Sequence, residues 1–278
     1  MKVLRSREEL KAFVDSVKTS SHSLGFVPTM GALHAGHLSL LAQSKIHADK
    51  SLMSIFVNPT QFNDPEDFAK YPRTLERDLA ALQSNPPDAL FVPEYKDIYP
   101  EGTQLLDFDL NGLDMVWEGA FRPGHFKGVI TVVHNLLQLV QPDFLFLGEK
   151  DFQQLLILRK MAHALHPQIQ VVGCPTLRET GGLAMSSRNE RLSPQGRVHA
   201  RQIFATLSSI KERWNSQPKS KLLQDAREIL NQAPFCLEYI EALDADTLQA
   251  YKSDGDKAEV LAVALKIEGI RLIDNIAL

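Results

Sequence analysis

Two histidines three residues apart, His34 and His37, close the stretch Pro28-Thr29-Met30-Gly31-Ala32-Leu33-His34-Ala35-Gly36-His37. An apolar run precedes the glycine turn and a helix is expected to begin just after it. That arrangement suits a triphosphate. Glycine lets the backbone approach a ligand closely, and a helix N-terminus offers unpaired N–H groups at the positive end of its dipole. The spacing puts both imidazoles near one face of the first helical turn. There, imidazolium N–H groups would stabilise charge developing on a phosphate. Two blander readings stay open: a pair of surface or capping histidines, and a zinc pair. The zinc reading lacks a third ligand at ligand spacing.

Other segments carry groups of matching chemistry. In Gly148-Glu149-Lys150-Asp151 the lysine would neutralise phosphate oxygens and the aspartate would hold Mg2+, although a solvated Lys–Asp pair explains the same residues. Met185-Ser186-Ser187-Arg188-Asn189 follows Gly181-Gly182. It reads either as a polar surface loop or as a mobile lid whose hydroxyls and guanidinium close over a triphosphate. Gln61 and Gln154 are neutral groups able to bind the hydroxyl and carboxylate of a small polar substrate, or simply solvent. Arg122-Pro123-Gly124-His125-Phe126 is a further candidate loop, with His125 structural or functional.

These groups need rigid elements behind them. Leu24–Val27, Ser51–Val57, Ala89–Val92, Phe144–Leu147 and Ile169–Val172 read as strands. Helices are expected over Gly36–Ala48, after Arg73 (Leu75, Leu79, Leu82), over Phe126–Val140 and beyond Glu149. The alternation predicts parallel βαβ units in a doubly wound sheet, with ligands at the carboxyl ends of the strands, and all these polar motifs are expected to follow such ends. Beyond Pro175 the pattern changes to two amphipathic helices, Pro194–Trp214 and Lys219–Asn231. Strands over Leu237–Leu243, Val260–Leu265 and Arg271–Ile273 then follow. The expected organisation is an α/β domain over 1–175 and a smaller α+β domain over 176–278.

Composition narrows the field. The 278 residues are 44% hydrophobic and 23% charged, ordinary for a globular protein, and the net charge of −4 argues against broad nucleic-acid or anionic-membrane binding. The first nine residues hold no apolar signal core, and the apolar run 128–142 falls short of the ~20 residues that span a bilayer. Cys174 and Cys236 form no Cys-x-x-Cys pair, so a reduced, cytoplasmic protein is expected.

The order of the motifs above, together with Phe56-Val57-Asn58-Pro59-Thr60-Gln61-Phe62, Tyr71-Pro72-Arg73-Thr74 and the ending Arg271-Leu272-Ile273-Asp274-Asn275, resembles that of the pantothenate synthetase family. The resemblance implies a Rossmann-like catalytic domain with a C-terminal lid domain. It also implies ATP-dependent condensation of pantoate with β-alanine through a pantoyl adenylate, releasing AMP and pyrophosphate. Carried over residue by residue, ATP contacts Met30, Gly31, Ala32, Leu33, His34, Ala35, Gly36 and His37, with His37 the nominal proton donor. Gly148, Glu149, Lys150, Asp151, Leu177, Met185, Ser186, Ser187 and Arg188 complete the nucleotide site, Arg188 standing where the superfamily's loop carries lysine character. Leu177 stands where the family often has valine. His34, His37, Lys150 and Arg188 stabilise phosphate charge. Gln61 and Gln154 hold pantoate, Asn58 is a further substrate contact, and Asp78 touches Mg2+ through water. A homodimer is implied as well.

Alternatives are another nucleotidyltransferase of the same superfamily, which would keep the nucleotide on its product, and a regulatory module that binds nucleotide without turnover. Both histidines and Lys150 argue against the latter. A tRNA-binding relative conflicts with the negative charge.

Overall fold

The computed structural model describes residues 1–253 and 257–278. The chain divides into two compact units: Met1–Glu149 with Gln153–Pro175, and Lys150–Phe152 with Thr176–Leu278.

In the first unit, β1 (Lys2–Leu4), β2 (Leu24–Thr29), β3 (Lys50–Ile55), β4 (Ala89–Phe91), β5 (Phe144–Gly148) and β6 (Gln170–Cys174) form one parallel sheet. Its order is β1-β4-β3-β2-β5-β6. The central strands carry near-continuous apolar runs: Phe26 and Val27 of β2 and Leu145 and Phe146 of β5 are fully buried. This is the pattern of a sheet covered on both faces. The helices that accompany it in sequence are α1 (Arg7–Thr19), α2 (Ala35–His47), α3 (Pro65–Lys70), α4 (Leu75–Ala81), α5 (Tyr95–Ile98), α6 (Glu118–Phe121), α7 (His125–Val140) and α8 (Phe152–Leu165).

From β2 the chain steps outward through β3 to β4, then returns to lay β5 on the other side of β2. The strand order therefore reverses between β2 and β5, where open α/β sheets hold their ligands. Met30 follows one of these strands and Glu149 the other.

Five elements of this unit were not foreseen: β1, α1, α3 and the one-turn helices α5 and α6. β1 pairs with β4 as an edge strand; three residues give no readable period. Helix α1 buries Leu10, Phe13, Val14 and Val17, and Ser6 caps it by accepting from the Glu9 amide. Helix α3 rises out of the turn-rich stretch after Gln61, with Asp64 as its cap and Pro65 in its first turn.

In the second unit, α9 (Pro194–Arg213) and α10 (Lys219–Leu230) accompany an antiparallel sheet of β7 (Phe235–Leu243), β8 (Val260–Ile267) and β9 (Ile270–Ala277). Ile203, Leu207, Leu222, Ile240, Val263 and Leu265 form part of its core. The strand expected over Arg271–Ile273 runs on to Ala277, paired with β8 along its length, and Asp274 turns inward onto Arg178. Among the described residues, no helix is long and apolar enough to cross a membrane.

Candidate active site

The turn after β2 is held from within. Gly31 (φ +79°) and Ala32 (φ +50°) both lie in the left-handed region, a conformation that costs a non-glycine residue about 1–2 kcal/mol. Asp78 on α4 fixes it. Its Oδ2 accepts from the Ala32 amide at 3.0 Å and its Oδ1 from the Leu33 amide at 2.8 Å, with Thr74 Oγ1 donating at 3.3 Å. Thr29 Oγ1 accepts from the Gly31 amide and donates to the Ser54 carbonyl.

The two histidines then cap α2. His34 Nδ1 accepts from the Gly36 amide at 3.2 Å, and His37 Nδ1 accepts from the His34 amide at 3.3 Å. The rings lie 4.0 Å apart, tilted by 31°. Accepting a hydrogen bond requires the Nδ1 lone pair, so each ring in this geometry is neutral and carries its proton on Nε2. This corrects two expectations. The amides of residues 31–34, 36 and 37 are bonded within the protein and do not wait unpaired for a phosphate. The histidines offer Nε2–H as neutral donors, since an imidazolium would give up its cap.

Asp78 also departs from its expected place. It is 1% exposed, and both oxygens already accept backbone amides. A water-bridged Mg2+ contact does not fit this carboxylate. Among the described residues, no three His, Cys, Asp or Glu stand together as a metal-ligand set.

The second wall of the first unit follows β3. Asn58 caps the 3₁₀ turn Pro59–Gln61 and is 1% exposed. Its Oδ1 accepts from Thr60 and from the Tyr99 hydroxyl at 2.9 Å; its Nδ2 donates to Gln61 Oε1 at 3.0 Å and to the Gly128 carbonyl. Asn58 is thus engaged in aiming Gln61. Burial pushes the Tyr99 phenol up to about 12, so it stays a hydrogen-bond donor at any working pH. Gln61 Nε2 meets a soft acceptor, Met30 Sδ, at 3.2 Å.

The candidate loop Arg122–Phe126 supports the same turn. His125 Nδ1 lies 2.7 Å from the Gln61 carbonyl oxygen and donates to it, and Asn63 donates to the Pro123 carbonyl. A Cβ on Gly128 would fall 2.3 Å from the Thr60 carbonyl oxygen, so only glycine lets α7 approach so closely. Gln154 is half-buried in the first turn of α8. Its neighbour Gln153 is buried and brackets Trp117, accepting from the Glu118 amide and donating to the Val116 carbonyl.

The remaining nucleotide candidates belong to the second unit, apart from Gly148 and Glu149 at the end of β5. Lys150 Nζ lies 3.6 Å from Asp151 Oδ1, the side chains 19% and 47% exposed. Leu177 and Met185 are brought together: the Met185 amide donates to the Leu177 carbonyl at 2.9 Å, and Arg178 bridges Ala184 within the same small hairpin. Ser186 then caps the 3₁₀ turn Ser187–Arg191 by accepting from the Arg188 amide. Asn189 is buried and donates to Glu179 and to the Ala184 carbonyl. The segment expected as a polar loop is therefore a capped, anchored turn. Neither it nor Arg122–Phe126 follows a strand of the parallel sheet, contrary to the expectation for all motifs.

Sequence reasoning overlooked Asp274 and Asn275 as parts of this region. Arg178 reaches both oxygens of Asp274, at 2.6 and 3.1 Å, and stacks 3.8 Å over the Phe204 ring. Burial pushes the Asp274 carboxyl upward, and Arg178 opposes that shift. Asn275 Nδ2 donates to the Lys150 carbonyl at 2.9 Å.

Comparison with known proteins gives a concordant result. The family model described as Pantoate-beta-alanine ligase matches residues 2–277. A pantothenate synthetase of Ruegeria pomeroyi is 46% identical over 99% of this chain and 96% of its own length. One from Christiangramia forsetii is 43% identical over 100% and 99%. The crystal structure of pantothenate synthetase from Thermus thermophilus superposes with a TM-score of 0.91 at 40% identity, covering 99% of each chain. The Francisella tularensis ligase, solved with beta-gamma ATP and beta-alanine, gives 0.83 at 35% identity over 100% of this chain and 97% of that one.

Proposed function

The chain belongs to the pantoate-beta-alanine ligase family, and from that premise we propose the reaction and the part each residue plays in it. The enzyme joins pantoate to β-alanine with ATP as the activating substrate. A pantoate carboxylate oxygen attacks the α-phosphorus of ATP, the bond to the β-phosphate oxygen breaks, and pyrophosphate leaves. The β-alanine amine, in its neutral form, attacks the acyl carbon of the adenylate. AMP departs with the bonding pair and the nitrogen releases its proton.

Negative charge builds on phosphate oxygens in the first step. His34 and His37 supply neutral Nε2–H donors there, held in orientation by their Nδ1 caps. Lys150 and Arg188 supply full positive charge, and Ser186 and Ser187 hydroxyl donors. Met30 to Leu33, with Leu177 on the adenine side, shape the nucleoside end. Because Asp78 does not fit a metal, Mg2+ arrives as part of the nucleotide substrate, held chiefly by its phosphates and water.

Gln61 and Gln154 hold pantoate, Gln61 also bordering β-alanine. Thioether sulfur is a weak acceptor, so Gln61 Nε2 exchanges Met30 Sδ for a pantoate oxygen at little cost, while Asn58 keeps its Oε1 in place. The 1–175 region acts as the catalytic domain and 176–278 as a lid domain that shields the adenylate from water. The reading extends to a cytoplasmic homodimer, checked by sedimentation of the purified chain.

The observation that carries this reading is the fixed tautomer of both histidines in a chain that the family model matches nearly end to end. The complex of the Francisella tularensis ligase with an ATP analogue and β-alanine supports the choice of substrates. Product analysis tests it: AMP and pantothenate appear in equal amounts only when pantoate, β-alanine and ATP are all supplied. A product that retains the nucleotide overturns it.

A further inference from the structure

The ending Arg271-Leu272-Ile273-Asp274-Asn275 lies on β9, more than 80 residues beyond the Met185–Arg188 turn, and has no part in the chemistry above. Two of its residues nonetheless meet segments that do. Asp274 is 4% exposed and takes Arg178 in a two-pronged ion pair. Arg178 also donates to the Gly182 carbonyl at the tip of its own hairpin and to the Asn275 carbonyl. The hairpin ends at the Leu177–Met185 pairing and leads directly into Ser186–Arg188. Asn275, by its side-chain amide, holds the Lys150 carbonyl.

A continuous chain of hydrogen bonds thus runs from the Lys150 backbone through Asn275 to Arg178 and the hairpin. Every residue of it belongs to the second compact unit, which includes Lys150–Phe152 although the residues on either side of them in sequence belong to the first. Lys150 and the serine-bearing turn are 35 residues apart, and a cation and hydroxyls that act on one triphosphate must keep a fixed spacing.

We infer that Asp274 and Asn275 are positioning residues for adenylyl transfer: Asp274 seats the hairpin through Arg178, and Asn275 ties Lys150 to it. This rests on the assignment of Lys150 and Met185–Arg188 to the nucleotide. Neither residue touches substrate. They act through the groups they hold, and removing either misplaces charge at the phosphates while leaving pantoate's own contacts untouched.

The test compares the full chain with its Asn275→Ala and Asp274→Asn variants in two assays. One is pyrophosphate exchange into ATP with pantoate and without β-alanine; the other is amide hydrogen exchange. Asn275→Ala removes one side-chain donor and is expected to fold, so it keeps the inference open to refutation if Asp274→Asn does not. The expected kinetic result is a kcat lower by ~10- to 100-fold, as for a misplacement of about an ångström. KM for ATP rises and KM for pantoate stays unchanged. Amide exchange should quicken in the Lys150 segment of Asn275→Ala and in 177–188 of Asp274→Asn. Wild-type kinetics in Asn275→Ala, or a parallel rise in both KM values, overturns the inference and leaves the assigned reaction standing. No pantoate-dependent exchange in the wild type overturns the reaction instead. The amide pattern then decides the coupling by itself: quickening confined to those segments upholds it, and unchanged protection refutes it.

Discussion

The turn carrying His34 and His37 and the hairpin carrying Met185–Arg188 present similar donors by opposite means. The histidine turn is closed largely from within: it supplies its own caps, and Asp78, Ser54 and Gln61 reach it from elsewhere in the same unit. The hairpin and Lys150 are held by residues 96 and 125 positions away in sequence, through a part-buried ion pair and a side-chain amide. A locally closed motif keeps its geometry with few long-range contacts. One assembled from afar depends on a particular strand end reaching it, and fails when that strand end is changed.

The largest effect is expected where the distant assembly is broken outright. Asp274→Ala leaves the half-buried Arg178 without its carboxylate, a loss of up to about 3–5 kcal/mol, the cost of breaking a fully buried pair. Urea denaturation should register that loss as a lower midpoint. A change within error would mean that the hairpin, like the histidine turn, stands on local contacts.

Next in size are the donors themselves. His37→Ala and Lys150→Ala should each slow adenylate formation by ~100-fold, about 2.7 kcal/mol of transition-state stabilisation. Rapid-quench measurement of a single turnover reads this directly. A near-normal rate in either variant removes that residue from the mechanism.

Asp78→Asn tests the carboxylate that holds the histidine turn from α4. It turns an amide toward a backbone N–H that had a carboxylate oxygen, a loss of about 1–3 kcal/mol in stability, with a raised KM for ATP. Titration with Mg2+ should give the same midpoint as the wild type. A shifted midpoint would restore a metal role to Asp78.

The smallest effect lies in neither region and serves as a control. His134 Nδ1 and His166 Nε2 meet at 2.9 Å, and burial holds both rings below their ordinary 6.5. A depressed imidazole binds fewer protons in the folded than in the unfolded chain, so stability is fully present above 6.5 and falls as pH drops through and below it. Tm measured from pH 7.5 to 5 should fall, and His166→Gln should flatten the profile. A flat wild-type profile would contradict the pairing.

The sheet and its order of elements were legible because buried parallel strands are apolar throughout and their helices carry a 3.6-residue stripe. The stripe Leu10-Phe13-Val14-Val17 of α1 was equally available and was overlooked beside the charged N-terminal residues. At the site, the motifs gave the residues that present donors. They did not give those that aim the donors. Asn58 and Asp78 look like exposed ligands in a sequence because side-chain carbonyls and carboxylates also bind substrates and metals; their burial and their hydrogen bonds to neighbouring backbone and side chains appear only in the fold. The tautomer of His34 and His37 was hidden for the same reason, since spacing says nothing about which nitrogen a backbone amide occupies. Asn275 was visible as part of a family ending, but its partner Lys150 stands 125 residues earlier and no local pattern links them.

The central claim is that this chain activates pantoate at the α-phosphate of ATP before β-alanine takes part. Exchange of labelled pyrophosphate into ATP, measured with pantoate present and β-alanine absent, tests it most directly. The account predicts exchange that rises with pantoate concentration to saturation and vanishes without it. Exchange indifferent to pantoate, or seen only once β-alanine is added, would contradict it.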